Sequence, residues 1–426
     1  GDVTLGTLDA RTAGDRAADT LDGQSAWGDV SVVSLNGNIL DARADTVGHD
    51  AQGFATRTGD IRAVNVYARG AQFLSGNSPG LGGDVGAAGN PLDIEVSTLA
   101  AQTFNGDIYL YESTDVTVDS VVFAGVGRVA FEEANGMEMD VGAPVGTGAL
   151  ILNDLISWAD YVGLETVNGS ITVNDGMSGI FDFPETGAAV QFGDVLLAAN
   201  GTGSDVILNA GTWAGRNTTV LARDSVVQNA RIDSDWASVQ GTIDVQAFDG
   251  SITMADGAIS ATLGGNIRYA ASGDVTLGTL DAGSGMVSVF AGGNILDAGA
   301  DTVGHDADGF ARLTGSARTE NIVASAAQLT AVGNIGAAGN PLDTAVATVA
   351  ATAGGSVYLY ESTGVTVGDV AFAGVNRAVL DGTPVTGVGA GSLSGLTAGI
   401  NAKAETVNGD LTVGATVEAT AGDILL

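Results

Sequence analysis

The first ten residues, Gly1-Asp2-Val3-Thr4-Leu5-Gly6-Thr7-Leu8-Asp9-Ala10, recur unchanged at Gly273 to Ala282. A chain that repeats itself at this length must fold so that one unit can be laid on the next. Other matches follow in the same order. Gly37 to Ala42 returns at Gly293 to Ala298, Asp45 to Asp50 at Asp301 to Asp306, and Gly86 to Asp93 at Gly336 to Asp343. Tyr109 to Thr114 returns at Tyr358 to Thr363, and Glu165 to Gly169 at Glu405 to Gly409. The offset falls from 272 residues at Gly1/Gly273 to 240 at Glu165/Glu405, so the first copy carries local insertions. The chain reads as a first long unit over 1–272 and a second, partial unit over 273–426 that continues it.

Within each unit a shorter motif returns: glycine, a small polar residue, then alternating apolar residues. Gly106-Asp107-Ile108-Tyr109-Leu110, Gly169-Ser170-Ile171-Thr172-Val173 and Gly250-Ser251-Ile252-Thr253-Met254 are examples. Glycine with Asp, Asn or Ser makes a turn, and the β-branched alternation makes a short strand with every second residue inward. Two or three such strands per turn give a parallel β-solenoid, an all-β fold. At roughly 20 to 25 residues per turn, the expectation is about 17 to 21 coils and a rod of roughly 80 to 100 Å. Val3, Leu5, Ile108, Leu110, Ile171, Val173, Val275, Leu277, Val357 and Leu359 are expected inside, and Thr4, Tyr109, Thr172, Thr276 and Tyr358 outside. A string of β-sandwiches fits less well, because it needs a period near 100 residues and linker segments.

Composition agrees. The 65 glycines disfavour long helices, while 45% hydrophobic residues are enough for a large core. Fifty acidic residues face 15 basic ones, of which only Lys403 is a lysine, for a net charge of −35. That surface repels nucleic acid and anionic lipid and attracts cations, so loosely bound divalent ions such as calcium are the only cofactor expected. Cysteine is absent, which removes disulfides and thiolate chemistry. No apolar run is long enough to insert into a membrane.

Few residues carry chemistry. His49 and His305 sit in Asp-Thr-Val-Gly-His-Asp, where flanking carboxylates allow a metal or pH-sensing role but a turn residue copied by duplication is the favoured reading. The metal-ligand candidates are Asp301, His305, Asp306 and Asp308; the first copy has Gln52 in place of Asp308, and the other ligand positions of a calcium loop are missing. Tyr109 and Tyr111, with their copies Tyr358 and Tyr360, alternate with inward aliphatics. They are expected either as an exposed contact patch for another fibre or a sugar ring, or as rings under a long loop. Trp27, Trp158, Trp213 and Trp236 have no counterparts in the second copy and read as fillers of local loop cores. Glu132-Glu133 is a carboxylate pair, but a polysaccharide-cleaving β-helix enzyme also needs cationic groups, and no nucleophile motif is present.

The glycine-led strands Gly293-Asn294-Ile295-Leu296-Asp297-Ala298, Gly333-Asn334-Ile335-Gly336 and Gly422-Asp423-Ile424-Leu425-Leu426 resemble those of large bacterial exoproteins of the filamentous haemagglutinin type, along nearly the whole chain. The resemblance implies a right-handed parallel β-helix and an extracellular or cell-surface fibre for adhesion or coating, with no catalytic residue. The expected partners are further copies or repeats of the same protein, end to end or laterally, and cell-surface glycans. A self-assembling filament or sheath subunit is the runner-up, and a polysaccharide-processing enzyme the alternative of another class. Because Gly1 to Leu5 and Gly422 to Leu426 both read as ordinary repeat strands, head-to-tail continuation is also expected.

Overall fold

The computed structural model describes residues 1–12, 27–43, 46–58, 64–75, 83–123, 129–131, 139–141, 150–152, 154–157, 161–174, 177–178, 193–234, 240–299, 303–305, 311–313 and 319–426. These residues form an all-β parallel solenoid whose strands join one large sheet wound around a single aliphatic core. One parallel ladder can be followed through fourteen levels: Val3, Ile39, Val85, Ile108, Val162, Val195, Thr218, Ile243, Ile267, Val287, Ala327, Val349, Val367 and Val413. At the spacing of hydrogen-bonded strands this gives a rod about 60 Å long, shorter than the sequence suggests. Hairpins set into the coils account for the difference, since successive levels at Ile243, Ile267 and Val287 are close in sequence whereas Val287 and Ala327 are separated by one such hairpin.

The inward set is as the alternation requires. Leu5, Ile108, Leu110, Ile171, Val173, Val275, Leu277, Val357 and Leu359 are buried in one cluster, with Val3 packed against it. Thr4, Thr172, Thr276 and Tyr358 are exposed or half-buried, but Tyr109 is buried.

The small polar residue of the motif does more than favour a turn. A side-chain oxygen of Asp115 accepts the backbone N–H of Ser170, Ser170 accepts that of Asp205, and the chain of acceptors continues through Ser225, Ser251, Asp274, Asn294, Asn334, Ser356 and Asn401 to Asp423. Each level thus ties the next at the corner, where curvature interrupts the strand ladder. The glycine is needed for proximity between coils. A Cβ on Gly265 would lie 1.6 Å from the Gly241 carbonyl oxygen, and one on Gly241 would lie 1.7 Å from that of Arg216.

Repeated sequence gives repeated hardware. Asn65 Nδ2 donates to Asp41 Oδ1 at 2.7 Å and its Oδ1 accepts Asp93 N–H; Asn321 does the same with Asp297, also at 2.7 Å, and with Asp343. Two kinds of antiparallel hairpin leave the coils in both units. One pairs Thr46–His49 with Ala55–Thr58, matched by Val303–His305 with Ala311–Leu313. The other pairs Val121–Phe123 with Leu150–Leu152 and Val129–Phe131 with Met139–Val141, matched by Asp369–Phe372 with Gly391–Ser394 and Val375–Arg377 with Val385–Val388.

Candidate functional site

The second-unit arm, from Asp369 to Ser394, is a strap that runs across the strands of the first unit. Its root is apolar: Val370 and Leu393 pack on Ala326, Ala350 and Met286. From there it crosses the rod with one bond or more at most levels. Asn266 Nδ2 donates to the Gly374 carbonyl at 2.9 Å, Asn376 N–H donates to Thr242 Oγ1 at 2.9 Å, and Ala378 N–H donates to Thr219 Oγ1 at 2.8 Å. Tyr161 Oη donates to the Val379 carbonyl at 2.8 Å. One edge of the strap pairs with its own returning strand, but the edge laid across the rod has no ladder to join, so these outward Thr, Asn and Tyr side chains supply its partners.

Arg377 is the anchor. Its guanidinium, 3% exposed as a residue, donates from Nε to Asp244 Oδ2 at 2.7 Å, from Nη2 to Gln246 Oε1 at 2.6 Å, and from Nη1 to the Gln52 carbonyl. Arg268 Nη1 donates to the other Asp244 oxygen at 2.7 Å. Burial works against the Asp244 charge, yet the two guanidiniums hold its carboxyl below the usual range. One side chain therefore joins strap, rod and the tip of the Thr46–Thr58 hairpin.

Beneath the tip lies a second core outside the coil. Tyr109, Tyr111, Tyr161, Leu196, Ala198 and Leu221 face outward from the rod and are covered by Ala378 and Leu380 of the strap and by Val47 and Phe54 of the hairpin. The Tyr109 and Tyr161 rings stack at 4.7 Å and 15°. Gly163 leaves the space, since a Cβ there would lie 2.4 Å from the Tyr161 ring. Glu165 is enclosed by the same cover: its Oε1 accepts Ala55 N–H at 2.7 Å, while its buried Oε2 has no hydrogen-bond partner. Burial, with Asp50 nearby, pushes the Glu165 carboxyl well above the ordinary range. The clasp between hairpin and strap is His49 Nδ1 at 2.8 Å from Asp381 Oδ2. Desolvation raises Asp381, but the Thr383 hydroxyl and N–H and then His49 outweigh it and hold the carboxyl low.

The sequence candidates are placed as follows. The exposed contact patch is corrected: Tyr109 and Tyr111 are 6% exposed and Tyr360 is 5%, leaving only Tyr358 half-open. The alternation aimed the first two out of the coil, but strap and hairpin then covered them. Asp301, Asp306 and Asp308 lie outside the described residues, as does the His305 side chain; the His305 backbone ends the strand Val303–His305. Among the described residues no group of three or more His, Asp or Glu is placed to hold a metal ion. His49 meets Asp381 of the distant strap, whereas Asp50 turns back to accept the Gln52 and Phe54 N–H groups. Trp27 is buried as a filler, but Trp213 is 39% exposed and lies over Gly211; Trp158, Trp236, Glu132 and Glu133 lie outside the described residues.

Sequence reasoning missed Arg377, Asp244, Tyr161, Glu165 and Asp381. Two signals were available. Val195-Leu196-Leu197-Ala198-Ala199 is apolar on both faces, as in a strand covered on both sides. The strap root Phe372-Ala373-Gly374-Val375-Asn376-Arg377 also echoes Phe123-Ala124-Gly125-Val126-Gly127-Arg128. No family model, no curated protein and no solved structure matches the chain.

Proposed function

We propose that the protein is a non-enzymatic structural and adhesive segment of an extracellular surface fibre, built from long solenoid repeats and partnered by further copies or repeats of itself and by cell-surface glycans. The observation that carries this reading is the strap. A segment of the second unit is anchored by a buried ion pair on the first, at Arg377 and Asp244, and clasped to its hairpin at His49 and Asp381. Repeat units held only by end-to-end strand pairing shear and fray one coil at a time, because each coil touches only its neighbours. A strap across several coils makes those coils yield together, which suits a rod that transmits tension. The excess of acidic residues keeps such rods apart in solution and lets divalent cations draw them together.

The test is cellular. Antibodies raised against this chain should label intact source cells, and deletion of its coding region should remove the label and reduce attachment of the cells to glycan-coated surfaces. Label confined to lysed cells, or attachment unchanged by deletion, would overturn the reading.

A further inference from the structure

We propose that the strap tip is a proton-operated clasp: His49 and Asp381 hold it shut in mildly acidic solution, and loss of the imidazole proton lets residues 379–383 lift and uncover the stacked Tyr109 and Tyr161 rings. The inference rests on the geometry of the strap and stands whether or not the protein is a surface fibre.

The tip is the part of the strap that is held through an imidazole. Further back the hold is the Arg377 guanidinium on Asp244, which Arg268 shares, together with the uncharged Asn266, Thr242 and Thr219 contacts. At the tip the bonds are Tyr161 Oη to the Val379 carbonyl and the His49 to Asp381 pair, whose side chains are 27% and 14% exposed. That is open enough for protons to reach and closed enough for the charge to count. With the imidazolium present the pair is an ion pair as well as a hydrogen bond; with neutral imidazole the attraction between opposite charges is lost and only an N–H to carboxylate hydrogen bond remains.

The other charged and titratable groups around the clasp are engaged elsewhere. On the hairpin, Asp50 accepts Gln52 and Phe54 N–H and faces Arg223 at 3.6 Å, and Arg57 pairs with Asp93 at 2.6 Å above the Tyr111 ring. On the rod, Tyr109 Oη donates to Asp107, and Asp194 is held by Arg216 at 2.7 Å. On the strap, Thr383 serves the same Asp381 carboxylate as His49. Glu165 acts in the same direction as His49, because its ionisation places a buried charge, offset only in part by the Ala55 N–H and Arg223, beneath the hairpin as pH rises. Opening exposes a flat pair of aromatic rings with a hydroxyl at the edge, the kind of surface that stacks on a sugar ring or on another aromatic side chain.

The experiment is amide hydrogen exchange of the full chain followed by mass spectrometry, corrected for the intrinsic pH dependence, together with hydroxyl-radical labelling of Tyr109 and Tyr161. Between about pH 5.5 and about pH 8 the protection of residues 379–383 should fall roughly five- to tenfold, and labelling of both tyrosines should rise, while residues 243–247 stay protected. His49→Gln should show the weaker protection at both pH values, with most of the slope gone. Glu165→Gln should lose the part of the slope that Glu165 supplies and keep the part that His49→Gln removes. A wild-type profile without the slope, or a slope that survives in His49→Gln and vanishes in Glu165→Gln, overturns the proposal.

Discussion

Replacing Arg377 with alanine removes the side chain that joins strap, rod and hairpin, and its consequences can be worked from the contacts. Three charge-bearing hydrogen bonds disappear, to Asp244, Gln246 and the Gln52 carbonyl. Asp244, 0% exposed, is left with Arg268 as its single cationic partner. Breaking a buried pair by deleting one partner costs about 3–5 kcal/mol, and the surviving Arg268 places this case near the lower end, about 3 kcal/mol. The loss should not spread through the rod, because the inward ladder of Ile243, Ile267 and Val287 does not touch the strap's bonds. The expected outcome is therefore local. Amides of residues 374–383 exchange at least about a hundredfold faster, given tenfold per 1.4 kcal/mol, Tyr161 becomes reactive to labelling, and the main thermal transition moves little. Asp244 supplies a further check. Its carboxyl is held low in the folded protein, so its contribution is present above an unfolded value of about 3.9 and lost as pH falls below it. The variant should lose part of that acid limb. If the strap stays protected in Arg377→Ala, or if the whole rod unfolds with it, the anchor has been misread.

Glu112 and Glu165 are both pushed upward, chiefly by burial, so the linkage has the opposite sign to that of Asp244: their stabilising effect is complete below about pH 4.3 and is lost as pH rises through their folded values. Stability should thus rise as neutral solutions are acidified towards about pH 5, and Glu165→Gln should gain about 1–2 kcal/mol at pH 7 and nothing near pH 4 in denaturant titrations. Gly265→Ala should cost more than about 3 kcal/mol or abolish folding, because its Cβ would meet the Gly241 carbonyl oxygen at 1.6 Å, whereas Gly6→Ala, with nothing within 4 Å, should stay within about 0.5 kcal/mol; equal melting temperatures would refute the close-coil argument. Asn294→Ala removes the acceptor of Asn334 N–H at 2.8 Å and the donor to Asp274 at 3.0 Å, and should lower unfolding free energy by about 1 kcal/mol, with faster exchange at Asn334.

The solenoid was legible in the order of residues along the chain. Glycine, a short polar residue and alternating β-branched residues are local properties, and each carries its own reason to turn, extend or point inward, so Ile108, Ile171 and Val275 could be placed in the core without knowing their neighbours. That order also carried the ladder of Asp, Asn and Ser oxygens, legible as a motif though its bonds to the next coil were not. Which outward residues remain outside was settled by long-range packing. Tyr109 obeys the alternation and is still buried, because a strap that begins 260 residues later in the chain, at Asp369, returns over it. Likewise Asp244 reads as one more surface carboxylate of a strongly acidic chain until Arg377 is laid on it, and His49 reads as a turn residue until Asp381 arrives. Strand period and turn chemistry act over a few residues and are written in order along the chain. The position of a strap depends on which outward side chains of separate coils can together satisfy an extended backbone and a buried charge, and that correspondence exists only once the coils are stacked.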